Sequence, residues 1–463
     1  MTQQQDAATA QAWTALGGPG ALLERVSFHG PAGLPARLPV RELARATVAA
    51  CSLAAAELSA ARGGGSGRGV PAVRIDEGAV ATAFVSERHL RIDGRPLTTF
   101  APLSGFWRTA DGWVRTHANY PHHRARLLAA LGLPDDGGGA GDAQAVRALA
   151  GILRESAAEQ VQERAFAAGA LAVAVAPPAA GPAGHPLVES VRVGAGVARP
   201  LPPAALPCSG VRILDLTRVI AGPVATRTLA LLGADVLRID PPRLPESPDA
   251  HADTGFGKRS ARLDLAAADD RAVFEALLAT ADVVVTGYRP GALDLLGLGP
   301  EALLERRPGL VVAQLDAWGR IGPWAGRRGF DSLVQAGRGI AVVEAGPDGR
   351  PGVLPAQALD HGTGYLLAAA VQRALTDRAQ DGCGRRLRLS LAGTADWLLH
   401  GLRPAAADPH DPADVPDPAP RLAESDSPLG RLRHAVSPVG YDGAPAGWAR
   451  PPGHWGTDAP VWL

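Results

Sequence analysis

Between residues 211 and 391 the chain alternates short runs rich in Val, Ile and Leu with longer segments of helical periodicity. Strand-sized runs that alternate with helices predict a parallel sheet wrapped by helices. The predicted strands are 211–216, 235–239, 283–286, 310–315 and 386–391, and helices are predicted at 225–232, 268–280 and 300–306. We therefore expect an α/β fold in this part of the chain.

A single carboxylate, Asp360, lies where an extended segment meets an apolar helix, within the sequence LPAQALDHGTGYLLAAA of residues 354–370. Pro355 favours an extended lead-in. The residues from Asp360 to Thr363 have the character of a cap and first turn before a helix over 364–377. A plain helix cap and a reactive carboxylate are both compatible with this stretch alone.

Composition excludes several classes of partner. Basic and acidic residues number 46 each in a chain of 463, so net charge gives no reason to expect nucleic acid or an anionic membrane. Cys51, Cys208 and Cys383 have neither disulfide nor metal spacing, which favours reduced thiols. The first residues show no signal-like pattern, and the apolar run 165–177 is too short to cross a bilayer. We expect a soluble cytoplasmic protein.

The turn after the first predicted strand reads TRVIAGP and lacks the glycine patterns that bind NAD or ATP. Neither cofactor is expected, although backbone amides at a helix start still favour phosphate. His122 and His123 are adjacent and have no further ligand nearby in the sequence, so we predict no metal site there.

Five blocks of the sequence resemble the family III CoA-transferases, a family that also contains the α-methylacyl-CoA racemases. In order they read GVRILDLTRVIAGPVATRTLALLGADVLRIDPP, GKRSARLDL, ADVVVTGYRPGALDLLGLGPEAL, RPGLVVAQLDAWGRIGPWAGRRGFDSLVQAGRGI and LDHGTGY. The resemblance spans residues 210–398. It implies a Rossmann-like parallel sheet wrapped by helices, a smaller α+β domain and a homodimer.

The resemblance also implies the site. Asp360 occupies the position of the family nucleophile, and the first βα turn is expected to lie along coenzyme A through Arg218, Val219, Ile220 and Ala221. Further contacts with coenzyme A are expected from Arg238, Gly257, Lys258, Tyr288 and Arg289. Fixed cations at strand ends suit nucleotide phosphates; a solvated charge or an ordinary turn is the alternative for each of them.

The implied reaction is exchange of coenzyme A between an acyl-CoA and a small carboxylic acid, through covalent intermediates on Asp360. Gly362 and the amides at the helix start are expected to stabilise the oxyanions. Coenzyme A enters as the substrate thioester, without a metal or a permanent cofactor. One alternative is a racemase or epimerase, which needs a His where Phe330 stands between Gly329 and Asp331. The other is a non-catalytic CoA-binding subunit.

The second alternative arises from an internal repeat. Residues 38–84 can be laid over 354–399, and Ala44 then stands opposite Asp360, so the first copy lacks the nucleophile. The small domain precedes the large one, the reverse of the usual family order. The expected segments are an N-terminal segment 1–35, a partial repeat 36–95, a small α+β domain 96–190, a linker 191–209, a large CoA-binding domain 210–400, a flexible linker 401–424 and a C-terminal segment 425–463 packed on the large domain.

Overall fold

The computed structural model describes residues 6–63, 69–98, 100–135, 137, 141–198, 200–403 and 416–463. The β-strands are β1 (Val26–His29), β2 (Val73–Asp76), β3 (Arg91–Ile92), β4 (Arg95–Pro96), β5 (Phe106–Arg108), β6 (Trp113–Thr116), β7 (Ala172–Ala174), β8 (Glu189–Val193), β9 (Arg212–Leu216), β10 (Asp235–Asp240), β11 (Arg259–Arg262), β12 (Val283–Thr286), β13 (Val311–Asp316), β14 (Gly384–Ser390), β15 (Leu422–Ser427) and β16 (Gly430–Ala435). The α-helices are α1 (Ala7–Ala15), α2 (Val40–Ala61), α3 (Glu77–Ala83), α4 (Ser86–His89), α5 (Pro121–Ala130), α6 (Asp142–Glu155), α7 (Ala158–Ala167), α8 (Ala221–Leu231), α9 (Pro248–Thr254), α10 (Ala268–Leu278), α11 (Pro300–Arg306), α12 (Asp331–Gly337), α13 (Ile340–Val343), α14 (Ala358–Asp381) and α15 (Leu391–Asp396).

The largest sheet has the strand order β11-β10-β9-β12-β13-β14-β8. Every pairing in it is parallel except the one between β14 and β8 at the edge. The central strand β12 is buried throughout, as expected for a run of three valines covered by helices on both faces. The predicted α/β fold with a Rossmann-like sheet is confirmed.

The sheet also contains two strands that the sequence pattern did not predict. β8 lies across the expected boundary between the small domain and the linker 191–209, and it pairs with β14. Its Glu189 forms ion pairs with Arg386 and Arg388 of that strand. β11 follows Lys258 and pairs with β10 at the opposite edge. Both strands contain charged residues, so they lack the apolar runs from which the other strands were predicted.

Helix α14 is the central helix of the fold and is buried along most of its length. It packs between α2 and α8, and two glycines permit the close approach. A Cβ atom on Gly362 would lie 2.6 Å from Leu43 Cδ2 of α2, and one on Gly364 would lie 2.6 Å from the carbonyl oxygen of Ala221 in α8. A side chain at position 364 would push the backbone of α8 away, and one at position 362 would require the Leu43 side chain of α2 to move.

The N-terminal unit consists of β1, α2, β2 and α3. β1 and β2 pair in parallel, as β13 and β14 do, which supports the internal repeat. Counted from the helix starts, however, the third residue is Glu42 in α2 and Asp360 in α14, so helix position does not place Ala44 opposite Asp360. α2 is long and apolar enough to cross a membrane, but 78% of its apolar window is buried inside the fold.

The small domain combines the sheet β5-β6-β7 with α5, α6 and α7. Leu127, Leu149 and Leu153 belong to its separate apolar core. Helices and strands are mixed in this part of the chain, in an α+β arrangement; the expected bounds of 96–190 stay a prediction. The domain touches the large one directly, because the N–H of Ala176 donates to the carbonyl oxygen of Ala336 at 3.0 Å.

The C-terminal segment packs on two parts of the molecule. β15 and β16 form a four-stranded sheet with β3 and β4, across the boundary expected near residue 95. Beyond β16, Trp448 Nε1 donates to the carbonyl oxygen of Arg227 at 2.8 Å, and the N–H of Ser260 donates to Asp458 Oδ2 at 2.8 Å. β15 begins within the expected linker 401–424, of which residues 404–415 lie outside the described residues.

Candidate active site

Two cavities meet at Asp360. The first has a volume of about 230 Å³ and is bounded by α9 and by residues of the segment 97–101; we call it the apolar cavity. The second, of about 400 Å³, is called the basic cavity because its wall contains Arg126, Arg218, Arg289, Arg327 and Arg328. Among the described lining residues, Asp360 is the only acidic residue that borders both cavities.

Asp360 is the third residue of α14 and is 7% exposed. The prediction that it caps the helix is wrong, because the helix begins earlier and Gln357 is the N-cap residue. Gly362 therefore lies inside the first turns, where its amide belongs to the helical hydrogen bonds. The expected role of Gly362 in holding an oxyanion is not supported; the residue serves the contact with α2.

Asp331, the first residue of α12, caps α14 from outside the helix. Its Oδ2 accepts the N–H of Asp360 at 3.0 Å, and its Oδ1 accepts the side-chain amide of Gln335. Gln335 in turn accepts the N–H of Leu354 at 3.0 Å. Burial raises the pKa of Asp331 to about 6. A second buried carboxyl group thus lies directly against the start of α14, close to Asp360.

Burial raises the pKa of Asp360 well above its ordinary value, and the charges of Asp331 and Glu87 raise it further. Glu87 comes from α4, next to the N-terminal unit, and its Oε2 lies 3.6 Å from His361 Nε2. Burial would raise the pKa of Glu87, but the interaction with His361 lowers it overall. The N-terminal part of the chain thus contributes an ionised side chain to the site.

The turn before α8 is held in a strained conformation. Val219 has a φ of 72°, which a β-branched residue rarely adopts. Glu246 Oε2 accepts the N–H of Val219 at 3.3 Å and Arg218 Nε at 3.4 Å, while Tyr120 donates to Oε1 at 2.6 Å. Burial would raise the pKa of Glu246, but Arg238 and Arg218 lower it to about 2. Strain fixed in this way is typical of functional sites.

Three arginines, Arg126, Arg289 and Arg328, lie together in the wall of the basic cavity. Burial, together with the charges of Arg289 and Arg126, lowers the pKa of Arg328. None of the three forms an ion pair with a described residue. Clustered guanidinium groups without acidic partners are suited to bind a multiply charged anion.

Lys258 lies away from both cavities. It is buried, with its Nζ 3.1 Å from Asp215 Oδ2 and 3.0 Å from Thr226 Oγ1. Burial lowers the pKa of Lys258 in spite of the neighbouring Asp215. The structure thus gives Lys258 a structural role in place of the predicted contact with coenzyme A.

The predicted contacts of Arg238 and Gly257 with coenzyme A are not supported either, because neither residue borders either cavity. Arg238 is 1% exposed and forms ion pairs with Asp240 at 2.7 Å and with Glu246 at 3.3 Å, so it acts on the site only through Glu246. Gly257 has a φ of 76°, and a Cβ atom there would lie 2.9 Å from Trp448 Cδ1. It permits the C-terminal segment to pack closely and borders neither cavity.

Phe330 stands at the position where the racemase alternative requires a His. Its ring stacks on His117 of the small domain, with 3.7 Å between centroids and 7° between planes. Burial and the charge of Arg115 lower the pKa of His117 to about 3, so the nearest imidazole is neutral.

Seven of the residues predicted for the site border a cavity. Six of them border the basic cavity, and the seventh borders only the apolar cavity. The six are Asp360, Arg218, Val219, Ala221, Tyr288 and Arg289, and Ile220 borders the apolar cavity. Sequence reasoning missed Glu87, Tyr120, Arg126, Glu246, Arg328 and Asp331 as parts of the site. Asp331 and Arg328 lie in the block GRRGFD, which is one of the blocks that resemble the family; the others come from other parts of the chain.

Fold and site together define a Rossmann-like α/β domain with a buried carboxylate between two cavities. Residues 208–423 match the pattern of CoA-transferase family III. No group of three His, Cys, Asp or Glu side chains in the described part of the chain is arranged to hold a metal ion.

Curated relatives share the matched region. A probable fatty acyl-CoA transferase of Mycobacterium tuberculosis is 34% identical over 235 residues, 47% of this chain and 59% of the relative. An acetyl-CoA:oxalate CoA-transferase of Acetobacter aceti is 31% identical, over 48% of this chain and 60% of the relative. A solved structure of a CAIB/BAIF family protein from Brucella suis is 27% identical with a TM-score of 0.40, covering 49% of this chain and 65% of that one. The chain thus spans about 60% of the length of these two curated relatives.

Proposed function

We propose that this protein transfers coenzyme A from an acyl-CoA to a carboxylic acid through covalent intermediates on Asp360. The observation that carries the proposal is the position of Asp360 as the one described acidic residue that borders both cavities. A thioester placed at the junction has its coenzyme A on one side and its acyl group on the other. Formation of a homodimer and a cytoplasmic location stay predictions.

The basic cavity is the proposed site of coenzyme A. The phosphates of coenzyme A would contact Arg126, Arg289 and Arg328, and the aromatic ring of Tyr288 lines the same cavity. The first amides of α8 have no acceptor within their own helix. They lie at the junction next to Val219 and are suited to stabilise the oxyanion of the attacked carbonyl.

In the proposed reaction a carboxylate oxygen of Asp360 attacks the thioester carbon, and the carbon–sulfur bond breaks. The products are a mixed anhydride on Asp360 and the thiolate of coenzyme A. The thiolate then attacks the aspartyl carbonyl, which releases the first acid as a carboxylate and leaves an aspartyl thioester. The second acid reverses these steps, so no net proton is consumed.

The electrostatics of the site favour this covalent route. Burial, the charge of Asp331 and the charge of Glu87 each raise the pKa of Asp360. Acylation converts the Asp360 carboxylate into a neutral group and removes the repulsion. The free carboxylate is therefore destabilised relative to the covalent intermediates, which lowers the barrier to attack.

Trapping the intermediate tests the proposal. Protein incubated with an acyl-CoA and then with hydroxylamine should carry a hydroxamate on Asp360, because hydroxylamine attacks the aspartyl carbonyl of an anhydride or thioester. Peptide mass spectrometry locates the adduct, and free coenzyme A in place of acyl-CoA is the control. Protein that exchanges coenzyme A but never carries the adduct would contradict the covalent mechanism.

A second prediction concerns the arginine cluster. The double variant Arg289→Ala/Arg328→Ala should bind coenzyme A at least about 100-fold more weakly, because two charge-assisted contacts of about 1.5–3 kcal/mol each are lost. Calorimetry measures the affinity directly. Arg431, which is exposed and paired with Glu424 outside both cavities, gives the matched control Arg431→Ala. An unchanged affinity in the double variant would place coenzyme A elsewhere.

The two alternatives have less support. A racemase needs a proton-transferring group on each side of the α-carbon, and the site offers Phe330 stacked on a neutral His117. A non-catalytic subunit has no need for a buried carboxylate whose ionised form is destabilised. Retaining one costs stability, which is typical of a group that reacts.

A further inference from the structure

We infer that the acyl group handled by this protein comes from an apolar monocarboxylic acid, which the apolar cavity holds while the carboxyl carbon lies at Asp360. This inference rests on the proposed function and adds the class of substrate. It separates the chain from those relatives whose names specify dicarboxylic acids.

The wall of the cavity suits a hydrocarbon chain or ring. Seven of its side chains are apolar: Leu97, Phe100, Ala101, Val219, Ile220, Ala250 and Phe330. The cavity volume of about 230 Å³ exceeds the ~150 Å³ that holds a benzene molecule in an engineered protein cavity. An acyl group of about six carbons is therefore accommodated without rearrangement.

The charges in the wall oppose a second carboxylate. Among the described lining residues no Lys or Arg is present, whereas Glu87, Asp249, Asp253 and Asp331 accompany Asp360. The imidazole that lines the cavity, His117, is neutral because burial and Arg115 lower its pKa to about 3. A terminal carboxylate would be buried beside like charges without a cation, which is costly.

The acidic residues do not provide a binding site for a cationic acyl group either, because two of them already have cationic partners. Asp249 is bonded to Arg95 at 2.8 Å and to the N–H of Thr98 at 2.9 Å. Asp253 is paired with Arg227 at 3.1 Å. Both carboxylates are already engaged by cations outside the cavity, so they do not bind a cationic acyl group. The repulsion of a second carboxylate therefore comes mainly from Glu87 and Asp331.

Hexanoate and adipate provide a matched pair, since they differ only in a terminal methyl or carboxylate group. With hexanoyl-CoA as donor, we expect kcat/KM for labelled hexanoate to exceed that for labelled adipate by at least about 100-fold. Comparable values for the two acids would overturn the inference and leave the proposed function intact. Exchange with neither acid, nor with shorter or aromatic acids, would count against the proposed function.

Binding decides the inference even without turnover. In the variant Asp360→Asn, hexanoyl-CoA should bind at least about tenfold more tightly than adipyl-CoA by calorimetry. Equal affinities would mean that the acyl group does not enter the apolar cavity, and the inference would fail independently of catalysis.

A variant with an added cation makes the test reciprocal. Ala250 lines the cavity from α9 and is only partly buried, so a longer side chain has room there. Ala250→Arg should raise the adipate-to-hexanoate ratio of kcat/KM by about tenfold or more. Ala250→Leu adds bulk without charge and should leave adipate disfavoured. A rise in the ratio for both variants would contradict the charge argument.

Discussion

Asp360→Asn is expected to lower the rate of CoA exchange by at least about 1,000-fold, because an amide cannot form the aspartyl anhydride. The same change should increase the stability of the folded protein at neutral pH. Asn keeps the size of Asp but carries no charge, and the wild-type carboxylate is buried near Asp331 and Glu87. Loss of function with a gain in stability identifies a group retained for reactivity.

The pH dependence of folding stability follows from the direction in which folding shifts the pKa values of Asp360 and Asp331. Folding raises the pKa of Asp360 and of Asp331, the latter from an ordinary 3.8 to about 6. Between these values the folded state binds more protons than the unfolded state, so this pair makes stability fall as pH rises from about 4 through 6 and beyond. Asp360→Asn removes one carboxyl group and most of the repulsion, so its stability should fall less over this range.

Denaturant unfolding at pH 5 and pH 8, beside an exchange assay, measures both effects. Asp377→Asn is the matched control, since Asp377 lies on the same helix and its side chain is 40% exposed. We expect little change in either property for the control. A stable, fully active Asp360→Asn variant would contradict both the mechanism and the electrostatic argument.

Lys258→Met should destabilise the fold by about 3–5 kcal/mol, because it leaves the buried Asp215 carboxylate without its cation. The side chain of Lys258 is 2% exposed and that of Asp215 is 0% exposed, so water cannot replace the lost partner. Asp215 also accepts hydrogen bonds from Thr217 and Thr226, which fix its charge beneath the first βα turn.

The pH dependence of this pair has the opposite sign. Burial would raise the pKa of Asp215, but Lys258 and Arg238 lower it. Its contribution to stability is therefore present above the ordinary pKa near 3.8 and is lost as pH falls through the lower folded value.

Urea unfolding measures the change, and calorimetry at low temperature measures coenzyme A affinity in the folded protein. The double variant Lys258→Met/Asp215→Asn should recover part of the lost stability, since it removes the unpaired charge. Coenzyme A affinity should be unchanged in both variants. Weaker binding of coenzyme A with unchanged stability would restore the contact that the sequence predicted for Lys258.

The site illustrates how far local sequence reasoning extends. The block LDHGTGY identified Asp360, and TRVIAGP and GYRPG identified most of the turns that border the basic cavity. The same reasoning predicted that Arg238 and Lys258 contact coenzyme A, because each is a cation near the end of a strand. Arg238 lies near the end of β10, and Lys258 directly precedes β11. A cation near a strand end has the same local sequence whether it faces solvent or a buried carboxylate such as Asp215.

By itself the sequence determined five of the seven strands of the large sheet, because runs of β-branched residues are local. It missed β8 and β11, whose charged residues interrupt that pattern. It also singled out Asp360, the carboxylate proposed to react, through the resemblance to a family. Only the tertiary structure decided that Asp331 caps α14, that Glu87 approaches this helix from the N-terminal part of the chain, and that Lys258 is buried. Those features depend on burial and charge pairing between distant segments, which no local pattern encodes.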